Sequence, residues 1–321
     1  MKHQRTGFVL VTVLWILAIL SVLTLGFAHR ALLRQLAARY QVEYGQALMM
    51  ARGATQLGMV ELVNKQIKES AKLYDPGLTY LSQDWAQRTD LLGDAKYYVT
   101  GADLKGDAVW FEIEDCERYF DINSLAQEEY RDLLENIKAL DRSVKRRLIK
   151  RLTEGVHDQE PRAVFQTPEE LRYVDGVSDD DWFGKKNTPG LKNLITVYGG
   201  GRININTAGF DVLATIPGMD AGSVSILLGY RNGPDGKPAT RDDRKFRDTV
   251  SLGQETGIKG DALNAISRFC MFSSACYKIR GTATRQGGKV CATCTAVVRM
   301  DRDGRTNVTP VLSWQEGSLG S

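Results

Sequence analysis

The hydrophobic pattern changes period several times along the chain, and each change predicts an element. Residues 8–28, FVLVTVLWILAILSVLTLGFA, carry no charge. At ~1.5 Å per residue they would make about 31 Å of helix, enough to cross the hydrocarbon core of a bilayer. Beyond them Leu33, Leu36, Tyr40, Tyr44, Ala47, Ala51, Ala54, Gly58 and Leu62 recur at steps of three and four, and no proline occurs before Pro76. The apolar helix is therefore expected to continue as an amphipathic one. After Pro76-Gly77 the period shortens: the alternating stretches Lys96–Thr100 and Val109–Glu114, on either side of Lys105-Gly106-Asp107, predict a β-hairpin.

From Ser124 to about Ser267 the pattern is mostly helical, including Tyr130–Ile137 and Lys145–Leu152. Thr167-Pro168-Glu169-Glu170 supplies a cap, a proline suited to the first turn and a glutamate that can reach back to the start. Alternation returns in Cys276–Thr284 and Lys289–Val298, joined by Arg285-Gln286-Gly287-Gly288, with a third strand at Thr309–Trp314. Strands at both ends of a helical block predict an α+β fold in which the block is inserted into a small antiparallel sheet domain. The block contains a repeat, since Tyr119–Ala126 and Arg202–Ala208 both place Ile-Asn before a helix start. The second copy runs on through Pro217-Gly218 to Arg231 and is similar to a helix-hairpin-helix, with Asn206 or Thr207 expected to cap the helix.

Composition narrows the class. At 321 residues, with 43% hydrophobic residues, 25% charged residues and eight prolines, the chain is an ordinary folded protein of about two domains. Its net charge of +3 is unevenly spread: Lys2, Arg5, Arg30, Arg34 and Arg39 occur in the first 40 residues without an acid, so the rest sums to −2. Lys2 and Arg5 before the apolar run place Met1 in the cytoplasm and the chain after Arg30 on the far side. A cleaved secretory signal is the rival reading, with Gly26-Phe27-Ala28 before His29 as its cleavage site. The 21 apolar residues exceed the ~7–15 of such signals, and the pattern continues as helix.

The run Lys2-His-Gln-Arg-Thr-Gly7 followed by Phe8 and an unbroken apolar helix resembles the leader and start of type IV pilin-like proteins. That resemblance implies cleavage by a prepilin peptidase after Gly7 and methylation of the new amine at Phe8. Most pilins carry glutamate at the fifth mature position, where this chain has Thr12. An ionised glutamate in lipid without a neighbouring amine costs several kcal/mol, so threonine fits the first subunit of a filament. With the run Thr196–Ala208 and the last strand ending Val311-Leu-Ser-Trp-Gln-Glu316, the order of features resembles the K-type minor pseudopilins of the type II secretion system over nearly the whole chain.

The resemblance implies a leader at 1–7, an N-terminal helix at 8–66 with its span at 8–28, and pilin-like parts at 67–122 and 269–321 around a helical domain of helix-hairpin-helix or SAM-like type at 123–268. It also implies a non-enzymatic tip subunit in the inner membrane with a periplasmic globular part. Its partners would be the I-, J- and H-type minor pseudopilins, the prepilin peptidase and the inner-membrane assembly platform, with the secretin and exported cargo beyond them. The rivals are a membrane-anchored DNA-uptake protein and a minor pilin of a type IV pilus. Against DNA, residues 119–270 hold 22 lysines and arginines and 23 acids, and Asp220 follows the hairpin turn where a phosphate would lie. Lys145, Arg146, Arg147, Lys150 and Arg151 read as a solvated helix face.

No nucleophile elbow, phosphate loop or zincin motif occurs, and His157 stands without a companion motif. Cys270, Cys276, Cys291 and Cys294 cluster, with Cys116 apart. Disulfides are favoured over a zinc ribbon in an exported region. Four cysteines allow three connectivities, and Cys116 is open to participation. No cofactor is required by any motif. Relatives in the family can bind calcium, for which Asp301 and Asp303 before Gly304 are the candidate ligands here, with a polar turn as the alternative reading.

Overall fold

The computed structural model describes residues 5–70, 77–92, 106–137, 140–153, 165–186, 188–300 and 310–317. Helix α1 runs unbroken over Arg5–Ser70, as expected from a proline-free apolar run that merges into an amphipathic one. Its 66 residues extend about 100 Å. After the short strand β1 (Thr89–Asp90), β2 (Ala108–Asp115) buries Val109, Phe111 and Ile113 on one face. Residues 96–100, expected as a strand, lie outside the described residues. Within the described chain β2 pairs with β1 on one side and with a much later strand on the other.

The chain leaves the sheet at Cys116. The helical block contains the short strand β3 (Phe120–Asp121), helices α2 (Arg131–Glu135) and α3 (Arg142–Thr153), and a 3-10 turn at Pro168–Tyr173 where Glu170 accepts the Thr167 amide at 3.0 Å. It continues with α4 (Asp179–Phe183), strands β4 (Gly184–Lys185), β5 (Thr188–Pro189), β6 (Ile195–Thr196) and β7 (Ile203–Asn204), helices α5 (Phe210–Leu213), α6 (Ala221–Arg231), α7 (Thr249–Thr256) and α8 (Gly260–Phe269), and β8 (Cys270–Met271). The expected helical insertion at 123–268 also holds one two-residue ladder, β4 with β5, and is tied at its ends by two more, β3 with β6 and β7 with β8. Segments such as Ile195-Thr196 and Ile203-Asn204 satisfy their main chain by pairing, as β-branched residues favour. The block has its own core, including Ile122, Leu133, Leu148, Ile205, Leu213 and Phe246.

The chain then returns as β9 (Cys276–Arg285) and β10 (Val290–Arg299), joined by the expected glycine turn, and ends in β11 (Val311–Gly317). The sheet order is β1-β2-β9-β10-β11 and every neighbour is antiparallel. Strands from both ends of the chain therefore complete one sheet, and the helical block leaves from β2 and returns into β9.

Only the C-terminal part of α1 docks on this sheet. Ala47, Ala51, Ala54, Thr55 and Leu62 are buried against it, whereas Leu33, Leu36 and Tyr40 of the same stripe remain more than half exposed. Small residues let the two backbones approach: a Cβ at Gly58 would meet Ile279 at 2.7 Å, and one at Gly281 would overlap the Ala51 carbonyl. The buried Thr55 hydroxyl accepts the Gly281 amide at 3.1 Å and lies 2.9 Å from the Cys294 carbonyl, where it can donate. At the last strand Arg52 grips Glu316 through two bonds of 2.7 Å.

Candidate assembly helix and domain junction

The chemistry of the free part of α1 is that of a segment surrounded by lipid. Phe8 through Phe27 present exposed apolar side chains, and α1 is the one described helix long and apolar enough to cross a membrane. The span contains three hydroxyl side chains, and each bonds its own helix: Thr12 reaches the Val9 and Phe8 carbonyls at 2.8 and 3.1 Å, Ser21 the Leu17 carbonyl at 2.8 Å, and Thr24 the Leu20 carbonyl at 2.7 Å. None needs an outside partner in a medium without water. Thr12 is thus self-sufficient where a carboxylate would not be. The Gly7–Phe8 bond lies inside α1, which begins at Arg5.

The Ile-Asn repeat has a structural counterpart and a purpose other than capping. Asn123 accepts the Phe165 amide at 2.9 Å and donates to the Phe165 carbonyl at 3.0 Å. Asn206 does the same to Phe246, at 2.8 and 2.9 Å. In each copy the residue two positions earlier accepts the asparagine amide at 3.0 Å: Asp121 in the first, Asn204 in the second. The expectation that Asn206 or Thr207 caps a helix is corrected, because α5 begins after Gly209 without a side-chain cap. Each asparagine holds instead a distant buried loop whose amide and carbonyl would otherwise lack partners. The turn at Pro217-Gly218 is present, with Gly218 at φ +86°, and Asp220 caps α6 by accepting the Ser223 amide at 2.6 Å.

The second copy also fastens the helical block to the sheet. At the end of β2 the buried Asp115 carboxylate accepts the Thr207 hydroxyl at 2.6 Å, the Ser274 hydroxyl at 2.7 Å and the Asn204 amide at 3.1 Å through one oxygen, and the Glu117 amide at 2.8 Å through the other. Burial pushes its carboxyl upward, and the four donors offset this only in part. Asn204 also reaches the Thr79 carbonyl at 3.1 Å, and Glu117 accepts the Ala275 amide at 2.6 Å. Two segments far from β2 in sequence, around residues 204–207 and at Ser274, thus converge on one carboxylate.

Asp121 supports a pH prediction. Burial, the largest cause, raises its carboxyl to about 6, against smaller lowering effects from the Asn123 amide and Arg299. Between pH 4 and 6 the unfolded chain releases this proton before the folded one, so stability contributed at low pH is lost as pH rises, by roughly 2–3 kcal/mol. The second copy has asparagine at this place. Asp121→Asn is therefore expected to remove this part of the slope in denaturant unfolding measured between pH 4 and 6; an unchanged slope would refute the assignment.

Other expected residues fall as follows. Arg146, Arg147, Lys150 and Arg151 are exposed on α3, but Lys145 is corrected from a solvated to a buried residue: its ammonium donates to the Glu135 carbonyl at 2.6 Å, closing α2 onto α3. A cavity of about 220 Å³ lies on the sheet face turned away from α1, lined in part by Glu114, Tyr119, Trp182, Tyr198 and Lys278. Burial works to raise the Glu114 carboxyl, but Lys278, Tyr119 and Arg118 outweigh it and hold the group below its usual range. Among the described residues no group of three or more His, Cys, Asp or Glu side chains is placed to hold a metal ion. His157, Asp301 and Asp303 lie outside the described residues.

The cysteines are all thiols in this structure. No pairing confined to Cys270, Cys276, Cys291 and Cys294 fits the register. Cys276 stands opposite Arg299 on β10, which puts it about 17 Å from Cys294 and about 27 Å from Cys291 along the strand. Cys291 and Cys294 share a strand three residues apart and face opposite ways, Cys294 into the core beneath α1. Every connectivity contains one of these pairs, and all are too far apart or misdirected for a disulfide.

Comparison with known proteins gives the class of fold. No family model and no curated sequence matches the chain. A chain from the crystal structure of the GspK-GspI-GspJ complex of the enterotoxigenic Escherichia coli type 2 secretion system is similar at a TM-score of 0.57 and 16% identity, covering 88% of this chain and 99% of that one. The protein shares a pilin-like α+β fold with that chain.

Proposed function

We propose that this chain is the K-type minor pseudopilin of a type II secretion system. The observation that carries the reading is the division of α1: its C-terminal part is locked to the sheet, while Phe8 to Phe27 remain apolar, self-satisfied and exposed. The free half would sit in the inner membrane with its N-terminus cytoplasmic and the globular part periplasmic. Prepilin peptidase would cut between Gly7 and Phe8 and methylate the new amine.

Subunit helices would then associate by side-chain packing in lipid, since no hydrophobic gradient drives them together there. The I- and J-type pseudopilins would bind alongside, joined by the H-type, on the inner-membrane assembly platform. Thr12 lacks the charge that pairs a pilin with a neighbouring amine. The helical block between β2 and β9 adds bulk that suits the end of a filament better than its shaft. The protein would thus nucleate and cap the pseudopilus, with a structural role and no catalytic one, below the secretin and its cargo. Mature protein from its native membrane is expected to begin at methylated Phe8 and to copurify with I- and J-type partners. A start at His29 or an uncut Met1 would overturn the reading, as would salt-sensitive retention of DNA without those partners.

A further inference from the structure

The strand register brings together two cysteines that sequence proximity separates. β2 and β9 pair from Ala108 opposite Thr284 to Asp115 opposite Tyr277. β2 ends at Asp115 and Cys116 opens the 3-10 turn that follows, so Cys116 and Cys276 are the residues next beyond the last ladder pair; the two thiols are buried with Val297 as a separate apolar cluster. A ladder pair has Cα atoms about 4.5–5.5 Å apart, inside the range that a disulfide spans, and these two cysteines directly adjoin such a pair. Cys116 is where the chain departs for the helical block and Cys276 is where it re-enters the sheet. The other three cysteines are distributed over the core of the block and the two faces of β10.

We propose that Cys116 and Cys276 form a disulfide that ties the outgoing and returning strands of the inserted domain, while Cys270, Cys291 and Cys294 remain thiols. This rests on the exported location argued above. The bond forms during folding by exchange with the disulfide of a thiol oxidase. One thiolate attacks that disulfide and releases one oxidase thiol; the second attacks the mixed disulfide and releases the other. Two protein thiols give up two electrons and two protons, and the oxidase disulfide becomes a dithiol. Arg299, whose Nε lies 3.2 Å from Cys276 Sγ, offsets only part of the burial that raises this thiol, so the exchange precedes full burial of the pair.

The test uses full-length protein from its native membrane, alkylated under denaturing conditions without reduction and then digested with trypsin. The expected product links Gly106–Arg118 to Phe269–Lys278; because the latter carries both Cys270 and Cys276, fragmentation must place the bond on Cys276. The Cys116→Ser and Cys276→Ser double variant is expected to lose the linked species and to be cut within residues 117–275 at least about tenfold faster by limited proteolysis, as for loss of a long-loop crosslink. Protease treatment of spheroplasts reads the compartment separately. Five alkylated cysteines, or a bond to Cys270, Cys291 or Cys294, in a chain shown to be exported would overturn the proposal and leave the location intact. A chain cleaved only after the cells are permeabilised would overturn the location, and the disulfide with it.

Discussion

Gly281→Leu is expected to release α1 from the sheet. A Cβ at this position would lie 2.7 Å from the Thr55 amide nitrogen and overlap the Ala51 carbonyl. These are backbone atoms of a helix and cannot turn aside as a side-chain tip would. Overpacking a rigid core usually costs about 1–3 kcal/mol; here the helix must retreat, which also breaks the Thr55 bridge to Gly281 and Cys294. A loss of at least ~3 kcal/mol is expected, with rapid amide exchange across residues 47–62 of the detergent-solubilised chain. Exchange confined to the neighbourhood of residue 281 would show that docking tolerates the side chain and that the close approach is incidental. If assembly depends on α1 held upright on the sheet, the same variant should fail to recover I- and J-type partners.

The second large effect is expected at the domain junction. Asn204→Leu keeps the number and branching of side-chain heavy atoms but removes an amide that reaches Thr79, Asp115 and Ser274 and whose oxygen accepts the Asn206 amide. Stranding several buried polar groups at once, one of them a carboxyl, should cost about 3–5 kcal/mol. Because these contacts span the sheet and the helical block, unfolding should separate into two transitions. A single transition displaced by less than ~1 kcal/mol would mean that the apolar contacts alone join the two parts. Comparison with Asn206→Leu, which disrupts the Phe246 clamp inside the block, separates coupling from stability of the block.

The discontinuous sheet is legible because strands alternate and turns have glycine, so Cys276–Thr284 and Lys289–Val298 read as a hairpin, within one residue of the observed strands. Their pairing with β2 is not, since nothing local couples residue 115 to residue 277. The repeat is visible in the sequence as Ile-Asn, but its purpose is not. Asparagine before a helix is a good cap by local chemistry, and only the folded chain brings Phe165 and Phe246 within reach. Lys145 was grouped with four exposed neighbours because a basic run gives no sign of which member points inward.

What the sequence alone determined was whatever rests on short range: an apolar helix long enough for a bilayer, Gly7 before Phe8 at its head, Thr12 within its first turns, and an α+β order with an inserted block. Periodicity and composition are sums over neighbouring residues, and the chain carries them whether folded or not. Tertiary structure decided where the long helix stops docking and becomes free, which carboxylate holds the two parts together, and which cysteines face one another. Those depend on register and burial across the 159 positions between Cys116 and Cys276, a separation over which local pattern carries no information and only the closed sheet fixes who meets whom.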